Sequence, residues 1–300
     1  MVIGSQSNWL GPVAIGGVGG SGTRVVAEIL IHLGFYMGKD LNSANDNLWF
    51  TLLFKRPRWF LENSEKNESQ IVKGLSIFEK AMTVGLQPRH EEKRFIMAAT
   101  LEMMTKGHDY SGSGRGFWPI KRAITLIRSK KPDTSRYIGW GWKEPNTHIY
   151  IELLDKYFQN LKYIHLIRHG IDMAYSSNQS QVYNWGTMFG IKLHDPSIPL
   201  PKLSLMYWNE ANRRAITLGQ KFLKERFLVI NFDKLCMNPR REIISLIDFL
   251  RLDIKCVNME ELERLPQFPE SAGRYKNYDL SIFDKAEIEA VRELGFVVDN

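Results

Sequence analysis

The chain has 300 residues, 44% of them hydrophobic, enough to bury a sizeable core and too many for a disordered protein. Forty Lys and Arg against 33 Asp and Glu give +7, a balance that favours anionic ligands without naming one. Two cysteines without CxxC spacing or a histidine cluster argue against a metal site and for reduced thiols; with neither a basic, apolar leader in MVIGSQSNWLGP nor a run near the ~20 apolar residues a membrane span needs, a soluble cytoplasmic protein is expected.

In chain order, PVAIG from Pro12 reads as a buried strand, followed by the glycine-rich loop Gly16–Arg24 and a helix whose Val26, Ile29, Leu30 and Leu33 repeat at i, i+3, i+4 and i+7. Residues 42–135 form a helix-rich, aromatic insertion with a turn at Ser111–Gly116 (SGSGRG). Within it Ile120, Ile124 and Ile127 share one helical face and the cations of Lys121–Lys131 lie mainly elsewhere, so this run is expected to be scaffold and no nucleic-acid partner is expected. YIGWGW from Tyr137 and YIHLI from Tyr163 are further strands, with a helix marked by Ile149, Leu153 and Tyr157 between them. Prolines 196, 199 and 201 make residues 183–202 a long surface loop or lid. A helix through Trp208, Ala211, Ala215, Leu218 and Phe222 then leads into the strand FLVINF from Phe227, and Asn238 and Pro239 cap a last helix with Ile243, Ile247 and Leu250 buried. Strands alternating with helices predict an α/β fold: one domain over 1–300, a P-loop-like parallel sheet flanked by helices, with the insertion at 42–135 on the acceptor side.

The glycine loop admits three functional readings beside a purely structural turn. Gly17, Gly19 and Gly22 satisfy the GxGxxG of a dinucleotide-binding protein, with Asp40 where a ribose-binding acid is sought. Gly17 and Gly22 also have Walker spacing, but Thr23 and Arg24 stand where that motif needs Lys and Ser or Thr. In the third reading the amides of Gly20–Arg24, at a helix N-terminus, hold an anion with help from the Ser21 and Thr23 hydroxyls. Downstream, Arg168 follows a strand directly and Ser176 lies eight residues on, positions from which a guanidinium and a hydroxyl can converge on a phosphate.

The loop, WKEP at Trp142–Pro145 and RHGIDMAYS at Arg168–Ser176, taken together, resemble the sulfotransferases that use 3′-phosphoadenosine 5′-phosphosulfate, above all the bacterial and Golgi-type branches that include tyrosylprotein and carbohydrate sulfotransferases. VINFDKLCMNPRREIISLIDFL and SAGRYKN fit the same family. The resemblance implies that Gly20, Ser21, Gly22, Thr23 and Arg24 cradle the 5′-phosphosulfate, that Arg168 and Ser176 bind the 3′-phosphate, and that Ser271, Gly273, Arg274 and Tyr275 close over the nucleotide. It places Lys143 at the transferring oxygens; the family often has Arg or Lys before the loop serine, where this chain has Gly20, and that leaves the cationic role to Lys143 and Arg24.

Sulfuryl transfer needs an in-line acceptor oxygen, positive charge where the leaving phosphate gains it, and a base for the acceptor proton, but no redox centre or metal. Asp40 is the expected base, with Asp46, Glu144 and His148 as rivals. Trp49, Trp59, Trp118, Trp140, Trp142 and Trp185 are available either to stack on a sugar or to fill a core. The expected acceptor is a carbohydrate or glycolipid hydroxyl, and the product adenosine 3′,5′-bisphosphate. An NAD-dependent oxidoreductase and a non-catalytic nucleotide-binding protein are the alternatives.

Overall fold

The computed structural model describes residues 9–64, 67–108, 114–193 and 195–299. Five parallel strands form one sheet in the order β2-β3-β1-β4-β5: β1 Leu10–Gly17, β2 Phe35–Tyr36, β3 Gly139–Lys143, β4 Lys162–Ile167 and β5 Phe227–Asn231. The four strands expected from apolar runs are present. The fifth, β2, is two residues long and offers no run to detect.

Alternation along the strands divides the core between two faces. Val13, Ile15, Ile164 and Leu166 point to one face, where α1 (Thr23–His32) and the helix Pro239–Leu250 bury Val26, Ile29, Leu30, Ile243, Leu246 and Ile247 against them. Ala14, Trp142 and Tyr163 point to the other, under the helices of the insertion and the long helix Leu200–Leu218. The insertion contributes α2 Leu48–Phe54, α3 Pro57–Ser64, α4 Glu68–Thr83, α5 His90–Lys106 and α6 Trp118–Ile127. Phe50 and Phe78 of this layer meet Trp142 at ring-centroid distances of 5.6 and 5.3 Å. Trp49, Trp59, Trp140, Trp142 and Trp185 are all buried, so five of the six tryptophans available for sugar stacking fill the core instead; Trp118 is half-buried.

Three expectations shift. The buried stripe of α6 is Pro119, Ala123 and Leu126, while Ile120 and Ile124 are exposed, because Arg122 and Thr125 are drawn inward to Asp40 and leave the isoleucines outside. The proline-rich segment is shorter than a 183–202 loop: a helix at Ser180–Trp185 covers its start, and Pro199 is the N-cap of Leu200–Leu218, where a missing N–H costs nothing. Asn238 does occupy the cap position before Pro239, without a side-chain capping bond. The turn expected at Ser111–Gly116 lies in part outside the described residues, as does the segment before Trp9.

Candidate active site

All five strands run the same way, so their carboxyl ends share one rim, and a cavity of about 620 Å³ opens there. Its walls are the β1–α1 loop from Val18 to Val25, Ala44 and Asp46 before α2, Lys143 to Asn146 after β3, Arg168 after β4, residues 178–182, one face of Leu200–Leu218, and Gln267 to Pro269.

The loop reaches its shape through Gly20 (φ +95°) and Gly22 (φ +87°), left-handed conformations that L side chains rarely adopt. Gly22 caps α1, whose first-turn amides at Thr23 and Arg24 lack intrahelical acceptors and face an end of positive dipole. A Cβ on Gly22 would also run into the Phe232 ring. Gly22→Ala is therefore expected to lower stability by about 2–5 kcal/mol, combining backbone strain and overpacking, as read from urea unfolding. The Ser21 hydroxyl is fully buried and donates to the Val18 carbonyl, so in this structure it serves the loop itself; the expected contact with an anion falls to Thr23 and Arg24, which line the cavity.

Arg168 stands beside this loop. One guanidinium nitrogen donates to the Gly20 carbonyl at 3.3 Å and the other to Ser271 Oγ at 2.8 Å; Nε is buried and has no partner. Among the described residues no carboxylate lies within ion-pair distance of it, although Asp172 and Asp233 act on it from further away. Burial lowers its pKa from the ordinary arginine range, and a guanidinium always stays protonated, so the chain holds a desolvated, unneutralised cation at the cavity wall.

Ser176 is not part of the cavity wall. The helix after β4 is only Gly170–Ala174, and Ser176 follows its C-cap, with Oγ accepting from the Asn178 amide; Asn178, Gln179 and Ser180 form the wall instead. The C-terminal segment is anchored rather than laid across the cavity. Asp172 accepts from the Gly273 and Tyr275 amides at 2.7 and 3.0 Å, Tyr275 stacks on His169 at 4.5 Å, and Arg274 donates to the Tyr175 carbonyl. Of the four residues expected there, Ser271 reaches Arg168, while Gln267, Phe268 and Pro269 supply the wall.

The acid and base groups sort equally clearly. Asp40 is buried, accepts from Arg122 at 2.7 Å and Thr125 at 2.5 Å, and is not part of the cavity wall. Seven residues on, the Asn47 amide donates to the Lys143 carbonyl at 2.7 Å, a bond that pins the loop to the end of β3 and brings Asp46 to Lys143. Lys143 Nζ lies 2.5 Å from Asp46 Oδ1 and 3.0 Å from the Ala44 carbonyl. Glu144 is buried beside them. Both its oxygens accept from Asn146, at 2.7 Å each, yet burial, reinforced by Asp46 and opposed by Lys55 and Lys143, leaves its carboxyl pushed up to about 7. His148 is fully buried behind the wall, 3.5 Å from the Tyr207 hydroxyl, and burial holds its pKa well below the usual value.

A polar chain the sequence does not disclose ties these parts together. Gln181 accepts from the Gly19 amide at 2.8 Å and donates to Asn146 at 2.8 Å, and Asn146 donates to Glu144. Trp185 Nε1 donates to the same Asn146 oxygen at 2.8 Å. The glycine loop and the buried carboxylate are thus linked by two side chains, Gln181 and Asn146.

The model of the Sulfotransferase family matches residues 12–255, which include the glycine loop, Lys143, Glu144 and Arg168. The chain belongs to the sulfotransferase family. As a sulfotransferase it is an enzyme of sulfuryl transfer. No curated protein matches it significantly. Among solved structures it is similar to the sulfotransferase domain of the Synechococcus PCC 7002 olefin synthase (15% identity, 99% of this chain and 98% of that one, TM-score 0.47). It is also similar to the sulfotransferase domain of the curacin biosynthetic pathway (13%, 97% and 100%, 0.48) and to sulfotransferase STF9 from Mycobacterium avium (15%, 94% and 75%, 0.47). No described helix of this sulfotransferase is long and apolar enough to cross a membrane, and among the described residues no cluster of His, Cys, Asp or Glu is arranged to hold a metal ion.

Proposed function

We propose that this sulfotransferase moves the sulfuryl group of 3′-phosphoadenosine 5′-phosphosulfate to a hydroxyl of a carbohydrate or glycolipid, releasing adenosine 3′,5′-bisphosphate. The observation that carries the reading is Arg168: a buried cation with no carboxylate at ion-pair distance, on the same cavity wall as the amides of Thr23 and Arg24. An unpaired buried charge is costly, and an anionic ligand is what offsets it. A nucleotide phosphorylated at both ends of its ribose supplies one anion to the helix N-terminus and another to Arg168. Phe268, half-exposed on the wall, offers an aromatic face to the base.

In this reading the Gly20–Arg24 amides and Lys143 stabilise the charge that builds on the leaving 5′-phosphate oxygen as its bond to sulfur breaks. Glu144 takes the proton of the acceptor hydroxyl as the new oxygen–sulfur bond forms; with its carboxyl near neutrality it is suited to accept a proton at physiological pH. Asp46 holds Lys143 in place. Asp40 has a structural task, and Asp40→Asn is expected to cost about 1–3 kcal/mol in urea unfolding through the weakened Arg122 pair, with turnover retained. A folded Asp40→Asn protein without turnover would return the base to Asp40.

The acceptor side is formed by the insertion, whose approach to the cavity is Ala44, Asp46 and Lys55. Cys236 and Cys256 are both free, in keeping with a cytoplasmic enzyme. The dinucleotide reading loses its ribose-binding acid, because Asp40 is engaged by Arg122. Calorimetric titration with adenosine 3′,5′-bisphosphate, NAD and ATP, followed by transfer of labelled sulfate to a panel of sugars, glycolipids and phenols, tests the proposal. Bisphosphate should bind tightest; preference for NAD or ATP would overturn it, and tight bisphosphate binding without transfer to any acceptor would leave a binding protein.

A further inference from the structure

We infer that the outer face of α5 and α6 is a docking surface for an anionic lipid membrane. The two helices pack together, joined at one end by the Gly116 amide donating to the Met104 carbonyl at 3.3 Å. Their inner faces are filled: Phe95, Ile96, Ala99 and Met103 on α5, Pro119, Ala123 and Leu126 on α6. Their outer faces still carry large apolar side chains in helical register. Met97 and Leu101, one turn apart on α5, are 66% and 62% exposed; Ile120 and Ile124, one turn apart on α6, are exposed as well, and Phe117 ahead of them is 79% exposed. Isolated exposed apolar residues need no explanation, but five on two adjoining helices do.

The charges identify the occupant. Lys93, Arg94, Lys106, Arg115, Lys121 and Arg128 are exposed around these apolar residues, and none has an ion-pair partner among the described residues. Between Lys93 and Arg128 the only described carboxylate is Glu102, and Arg56 occupies it at 2.5 Å. Protruding apolar side chains ringed by unpaired cations match a bilayer interface, where the former enter the acyl boundary and the latter meet phosphate headgroups. A solvated charged face would carry both signs and would not spend methionine, leucine, isoleucine and phenylalanine on water. On its inner side α6 holds Asp40, six residues before the cavity residue Asp46, so the surface adjoins the cavity approach. The inference stands without the assignment of donor or acceptor.

Co-sedimentation of the full chain with vesicles of phosphatidylcholine alone, or mixed with phosphatidylglycerol, tests it. Binding is expected to the mixed vesicles only and to fall as salt rises, since surface attraction is screened. Lys93→Glu with Lys121→Glu should weaken partitioning about fivefold or more for each cation removed. Leu101→Glu with Ile124→Glu should abolish it, with thermal unfolding and bisphosphate affinity unchanged in both variants because none of these residues lines the cavity. No binding to mixed vesicles at low salt would overturn the inference. So would equal binding by wild type and both variants, and so would binding of soluble polyglutamate without vesicle binding, which would give the face to an acidic protein.

Discussion

Glu144→Gln is expected to slow sulfuryl transfer by about 10²- to 10⁴-fold, the usual contribution of a positioned base, while leaving the affinity for adenosine 3′,5′-bisphosphate unchanged. Glutamine keeps the shape and, through its oxygen, one of the two bonds that Glu144 accepts from Asn146, but it takes no proton. The pH dependence identifies the group. The carboxyl of Glu144 is pushed up to about 7, chiefly by burial, so kcat/KM of the native enzyme should rise about tenfold per pH unit below that value and level off above it. Stability should run the opposite way. A carboxyl whose folded pKa lies above its unfolded 4.5 holds its proton more tightly in the native state, so its contribution is full below pH 4.5 and is lost as pH rises through about 7. Rates that are unaffected by the substitution, or a profile that lacks the break, would remove Glu144 from the chemistry and leave Asp46 as the carboxylate facing the cavity.

Arg168→Ala should weaken bisphosphate binding by about 2–5 kcal/mol, roughly 30-fold to several thousand-fold, because the ligand loses a charge-assisted partner in a desolvated site. Two further readouts separate a binding role from a structural one. The thermal stability of the ligand-free protein should hold or rise, since the substitution removes a buried cation with no carboxylate at ion-pair distance and Nε without an acceptor. Arg168→Lys should restore little, because a point charge cannot reproduce a planar two-pronged donor. If ligand-free Arg168→Ala unfolds several kcal/mol more easily and its affinity is intact, Arg168 is simply the prop of Ser271 and Gly20.

Much of the sheet was legible because parallel strands covered on both faces must be apolar runs, and PVAIG, YIHLI and FLVINF have little else to be. The glycine loop and Arg168 were legible for a different reason: left-handed glycines before a helix, and an arginine at a strand's end, have few other uses in that order. What escaped is what depends on distant partners. Asp40 has suitable spacing from the loop, but its fate was decided by Arg122, 82 residues away, and nothing local announces that pair. The α6 isoleucines share one face by period, yet Ile120 and Ile124 are exposed while Ile127 packs against the core, a split that the period alone does not announce. Gln181 and Asn146 are ordinary polar residues in sequence; a signal existed only in that Trp185 and Gln181 lie one turn apart, at Asn146 when the chain folds.

That relay from Gly19 through Gln181 and Asn146 to Glu144 makes the two halves of the cleft a single mechanical part. A change meant to retune donor affinity at the loop would also tilt the carboxylate across the way. Engineering of this protein toward new acceptors therefore has its free hand in the inserted helices, where side chains hang outside the circuit, and not along the rim of the sheet.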